Sequence, residues 1–182
     1  VSTAAATPLA AVQRMLLLGR KEAAGLGRVT ARLFAAPLSA ERLAALDGDD
    51  DLAERLDAFA ARFGRLQDAL TDKLLPAYLA LAGEAPRPVI DMLDRVERLG
   101  LIASADAFLA ARKLRNRLVH EYVEDRRELA ANLEAARAFV PQLCAALDHL
   151  ERALARLPAR AALLEPGEPS DGQPGRHPGS GS

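Results

Sequence analysis

The sequence has no tryptophan, a single cysteine, and aromatic side chains at only 4% of positions. One cysteine excludes an internal disulfide, so nothing staples this chain covalently. Cys144 sits among Val140, Leu143 and Leu147 and is expected to be a small core residue, in keeping with a reducing compartment. Long apolar runs are also missing. The longest near the start, Met15-Leu16-Leu17-Leu18, is far too short to cross a membrane. No basic start leads into a long apolar stretch and a cleavage site, so no secretory signal and a cytoplasmic location are expected. There is no excess of either charge: 24 Lys and Arg against 25 Asp and Glu leave a net charge of −1. Bulk electrostatic capture of nucleic acid is thereby excluded, and any such role falls to a local patch. Histidine occurs three times, and His149 and His177 lack ligand spacing to His120. No metal and no cofactor are expected.

What is present is alanine and leucine in a chain that is 50% apolar. Small and straight-chain residues favour helix over strand. A chain of 182 residues suits one domain with a tail. A body of roughly 150 residues hides about 70% of the surface its unfolded chain exposes, enough for one core.

The periodicity predicts helices throughout. A first spans residues 8–35, broken or kinked near Gly25 and Gly27 and ended by Pro37, after a loose start at 1–7. Residues 39–46 suit one or two turns capped by Ser39. The acids of Gly48-Asp49-Asp50-Asp51 then suit a helix N-terminus. Leu52, Leu56, Phe59, Phe63, Leu66, Leu70 and Leu74 form one apolar stripe on a second helix, which should end near Gly83. Mid-helix Gly64 costs about 1 kcal/mol relative to Ala and would let another helix or subunit approach closely. Pro86 and Pro88 open a third helix, with Ile90, Leu93, Val96 and Leu99 inward and Gly100 closing it. Ser104 caps a fourth, which offers Ala107, Phe108, Ala111, Leu114, Leu118 and Val119 to the core. A last long helix starts near Asp125 and carries an apolar stripe from Leu129 to Leu157, with a bend expected at Pro141. Residues 158–182 read as a disordered tail rich in Pro, Gly and Ser. With no strand pattern, the expected fold is all-α: an up-down bundle of four to five helices over residues 8–157.

One stretch interrupts this bland sequence: Arg112-Lys113-Leu114-Arg115-Asn116-Arg117-Leu118-Val119-His120-Glu121-Tyr122. On a helix Asn116 and His120 share a face, and Arg115 and Tyr122 share the adjacent one. The imidazole titrates near neutrality and moves protons in either direction. A guanidinium grips a phosphate and stabilises charge building on it. Together they suit RNA cleavage without metal, because the 2′-hydroxyl is a built-in nucleophile. The same residues also suit a plain polar helix end, which the helix dipole favours. Arg65, Asp68 and Asp72 on the second helix read either as a solvated ion-pair face or as the lining of a cleft opposite His120.

Arg115-Asn116-Arg117-Leu118-Val119-His120-Glu121-Tyr122 resembles the signature of the HEPN domain family, and its Arg-x4-His-x-Tyr form is similar to HepT-like toxins. The likeness extends over the helical layout, with the motif ending a late helix before a final long one. It implies a metal-independent endoribonuclease that works as a homodimer with both motifs facing one cleft. Arg115 and His120 would be catalytic and Asn116 supporting. It further implies a minimal nucleotidyltransferase antitoxin as partner, silencing the toxin by adding AMP to Tyr122. A non-catalytic HEPN-like substrate subunit of a nucleotidyltransferase is the alternative. Two departures stand out: an extra segment around residues 28–50, and Glu121 and Glu124 beside the motif.

Overall fold

A computed structural model describes the backbone of residues 7–120 and 125–164, and the side chains of 7–118 and 125–157. The fold is an all-α helical bundle. Helix α1 (Pro8–Leu33) is followed by the short α2 (Ala40–Ala44) and a 3-10 turn (Leu46–Gly48). Then comes one long rod: α3 (Asp50–Asp68), a π-helical segment (Ala69–Leu74) and α4 (Leu75–Leu81). Helices α5 (Val89–Arg98), α6 (Ala105–His120) and α7 (Arg126–Leu164) complete the described chain.

The ends of these helices are set by the predicted chemistry. Ser39 Oγ accepts from the Arg42 amide at 3.2 Å, Asp49 Oδ1 from the Leu52 amide at 3.0 Å, and Ser104 Oγ from the Ala107 amide at 3.1 Å. Gly83 and Gly100 both adopt positive φ, 80° and 71°. The amides of Glu84 and Leu101 then reach back to Leu79 and Val96, closing α4 and α5 in the same way. The C-terminal end of α1 is closed by a side chain: Arg42 donates to the Ala36 carbonyl at 2.7 Å.

The stripe of α3 is the centre of the core. Phe59, Phe63, Leu66 and Leu70 are fully buried, and α3 packs on α1 and α6 while α1 also packs on α7. Phe59 sits against Phe34, and Phe108 of α6 meets Phe139 of α7 edge to face at 5.1 Å between centroids. The extra segment at 28–50 places buried Leu43 of α2 against this body, with α2 resting on α7.

Several expectations are corrected. Helix α1 runs unbroken through Gly25 and Gly27. Gly19 and Gly25 serve packing instead: a Cβ on Gly19 would lie 3.1 Å from Leu147 of α7, and one on Gly25 would meet the guanidinium of Arg62, whereas Gly27 faces open space. Ile90 and Leu99 point outward, at 59% and 38% exposure, and Met92 takes the inward place beside Leu93 and Val96. Helix α7 continues past Pro141, as its apolar stripe requires, but runs on to Leu164, so helix extends into the stretch read as a tail. Cys144 is only half-buried, and burial pushes its thiol above the ordinary range.

The second helix also differs from a plain α-helix. Pro76 has no amide hydrogen, and its ring collides with the carbonyl four residues earlier in a regular helix. The widened turn just upstream, where the Leu75 amide bonds to Leu70 O, absorbs that conflict without ending the rod.

The packing sets a stability contrast. Phe108→Ala should cost about 3–5 kcal/mol in urea unfolding, whereas Ile90→Ala should stay within about 0.5 kcal/mol.

Candidate functional site

The α3–α6 seam is where charged side chains meet. Arg115 Nη2 donates to Asp68 Oδ2 at 2.7 Å, and Arg112 Nη1 donates to Asp72 Oδ1 at 2.7 Å. As residue numbers rise on the rod they fall on α6, so the two run antiparallel. The Asp68–Arg115 pair is half-buried, with side chains 32% and 26% exposed. Arg115 Nη1 also donates to Asn116 Oδ1 at 3.0 Å. The guanidinium is therefore held from two sides, by a carboxylate and by an amide oxygen. Its buried Nε has no partner among the described residues, and the same holds for Nε of Arg117.

A second polar layer lies beneath. Gln67 is fully buried, and its Nε2 donates to Thr71 Oγ1 at 3.0 Å. Thr71 Oγ1 in turn donates to the Gln67 carbonyl at 3.0 Å and lies 3.3 Å from Asp72 Oδ1 and 3.5 Å from Arg112 Nη1. Two charged pairs on the seam thus rest on a neutral, hydrogen-bonded base. Gln67 Oε1 is left without a partner among the described residues.

The structure sorts the residues expected at the site. Arg115 and Asn116 come together, and Asp68 and Asp72 both turn to α6. Arg65 does not: its Nε donates to Glu22 of α1 at 3.3 Å, where Arg62 also binds. Asp72 lies level with Arg112, a turn beyond Arg115 along α6, so it is Asp68 that neighbours the motif arginine. The backbone of His120 ends α6. The His120 side chain and Tyr122, with Glu121 and Glu124, lie outside the described residues. The basic stretch is also less positive than its sequence suggests, since Arg112 and Arg115 are matched by carboxylates and Arg126 faces Asp47 at 3.7 Å. Lys113 and Arg127 carry no ion pair among the described residues.

Gln67 and Thr71 had a sequence signal that the leucine stripe overshadowed: with Phe63 they step by four along the stripe's edge, which predicts burial. Glu97 had none. It accepts from the Ala105 amide at 2.7 Å, an extra cap on the N-terminus of α6.

Among the described residues no group of three or more His, Cys, Asp and Glu is arranged to hold a metal ion, and no helix is long and apolar enough to cross a membrane. No protein-family profile, no curated protein and no solved structure matches the chain.

The seam makes a quantitative claim. A double-mutant cycle of Asp68→Ala and Arg115→Ala, read by urea unfolding, should give a coupling of about 1 kcal/mol. The cycle of Arg65→Ala with Asp68→Ala should be additive within about 0.5 kcal/mol.

Proposed function

We propose that this chain is a HEPN-like, toxin-type endoribonuclease that cleaves RNA without a metal ion. The observation that carries the reading is the hold on Arg115: Asp68 and Asn116 fix a guanidinium five residues before His120, inside an Arg-x4-His-x-Tyr motif that ends α6. A fixed planar cation is what phosphate recognition and transition-state stabilisation need.

In this reading the substrate 2′-oxygen loses its proton and attacks the adjacent phosphorus. The bond to the 5′-oxygen breaks, that oxygen takes up a proton, and a 2′,3′-cyclic phosphate remains. His120 carries one of the two proton transfers, and Arg115 binds the oxygen on which charge develops. One cluster lacks a second acid or base, so a homodimer with the two motifs facing each other supplies it from the partner copy. Purified protein with a dimer mass by light scattering should cut RNA in the presence of chelator, leaving cyclic phosphate ends. His120→Ala should lower the rate by roughly 100-fold or more. A requirement for Mg²⁺, or full activity of the variant, contradicts the proposal.

One observation favours a second reading. Because Arg115 is already matched by Asp68, its charge is partly spent inside the subunit. That suits a non-catalytic HEPN-like substrate subunit of a nucleotidyltransferase, which would leave RNA intact in the same assay.

Both readings give Tyr122 to a minimal nucleotidyltransferase partner. AMP attached there would set a bulky anion near Arg115 and block phosphate entry. Intact mass after co-expression with such an enzyme should rise by one AMP on the wild type and not on Tyr122→Phe. An unmodified wild type removes this control.

A further inference from the structure

A groove of about 260 Å³ opens beside the seam, between the π-helical segment, α4 and the start of α5. Pro76, Leu79, Val89 and Met92 supply apolar walls, and Thr71 and Asp72 form a polar edge. That edge is tied to the proposed site: Asp72 bonds Arg112, and Arg112 lies three residues, about 4.5 Å along the helix axis, from Arg115. We infer that this groove is a nucleobase subsite that prefers guanine, seating a base of the RNA bound across Arg115. The inference rests on the nuclease reading only for why RNA lies there.

The size and polarity of the groove select the occupant. The space is small for a helix, which is about 10 Å across with its side chains. An anionic ligand meets Asp72 and Glu84, which both line the groove. A cationic ligand meets Arg87 in the lining, and both carboxylates are already matched, Glu84 by Arg87 and Arg95 and Asp72 by Arg112. A neutral flat ring with N–H donors on one edge escapes both penalties and covers the apolar walls.

The polar edge then reads that ring. Asp72 uses Oδ1 for Arg112, and its Oδ2 makes no hydrogen bond among the described residues. A carboxylate has about four lone-pair sites, so it can still accept two neighbouring N–H groups. Guanine offers two such donors side by side. Uracil offers one N–H flanked by two carbonyls, which the carboxylate repels. Within the widened stretch of residues 69–74 the Asp72 carboxylate is exposed, while neighbouring Thr71 is buried. Free rotation of Asp72 is limited by Arg112, so its open oxygen is held in place for a ligand.

The test uses guanosine and uridine, which lack phosphate and so do not report on the basic residues. Guanosine titrated into isotope-labelled full chain should move the amide resonances of Thr71, Asp72, Val89 and Met92 saturably. Uridine should bind roughly tenfold more weakly or less. Ala80→Phe, at an exposed position on the groove wall, should abolish the guanosine shifts while the circular dichroism stays helical. Asp72→Asn should retain binding and lose the preference. Equal response to both nucleosides, no saturable shift, or shifts that survive Ala80→Phe would overturn the inference. The two proposals separate cleanly. A chain that binds guanosine but cuts no RNA keeps the groove and loses the nuclease; one that cuts RNA but ignores guanosine does the reverse.

Discussion

Two carboxylates on the long central rod meet two guanidiniums on α6 along a half-buried seam, and the polar chemistry of the chain depends on that meeting. An arginine in this setting loses part of its hydration, and removing its carboxylate would leave a poorly compensated charge. Asp68 and Asp72 therefore fix where Arg115 and Arg112 stand. Fixing those arginines also fixes the turn of α6 that leads to His120. Beneath them Gln67 Nε2 donates to Thr71, and Thr71 donates to the Gln67 carbonyl and lies within reach of Arg112, so the pairs rest on a hydrogen-bonded neutral layer. The rod itself is held by apolar packing on α1 and α6. Rigid packing below and matched charge above give Arg115 a defined position without a metal or a disulfide.

Charge matching also bears on how a phosphate would enter. An exposed, unpaired arginine attracts any anion, whereas the charge of one bound to Asp68 is already partly balanced, leaving a phosphate the remaining N–H donors. Pro76 contributes at a distance. By forcing the widened turn at residues 69–74, it shapes both the carboxylate edge and the apolar wall beside it.

Much of the scaffold was legible from residue order. The leucine and phenylalanine stripe from Leu52 to Leu74, the Ser39 and Ser104 caps, and the closing glycines Gly83 and Gly100 lie where spacing and backbone chemistry put them. Failures have physical causes. Ile90 and Leu99 were read inward because apolar residues spaced by three suggest one face, but the shorter α5 presents Met92, Leu93 and Val96. Gly25 and Gly27 suggested a break because glycine weakens an isolated helix, but α1 is long and packed on α3 and α7, with Gly25 itself buried, and it runs on through both. At the site, spacing alone grouped Arg65 with Asp68 and Asp72. Which of them faces α6 depends on partners about 40 residues away in the chain, and Glu22 draws Arg65 to the other side. Long-range pairing of this kind leaves no periodic trace in the sequence.

In the proposed reading Arg115 and His120 act on an RNA phosphodiester whose nucleophile is the adjacent ribose 2′-hydroxyl. The most direct measurement compares two synthetic RNA strands in chelator, identical except for a 2′-deoxy sugar at the mapped cleavage position. The account predicts that the all-ribose strand is cut there and the substituted strand is not. Equal cutting of both strands, or cutting of either only after a divalent cation is restored, would contradict it.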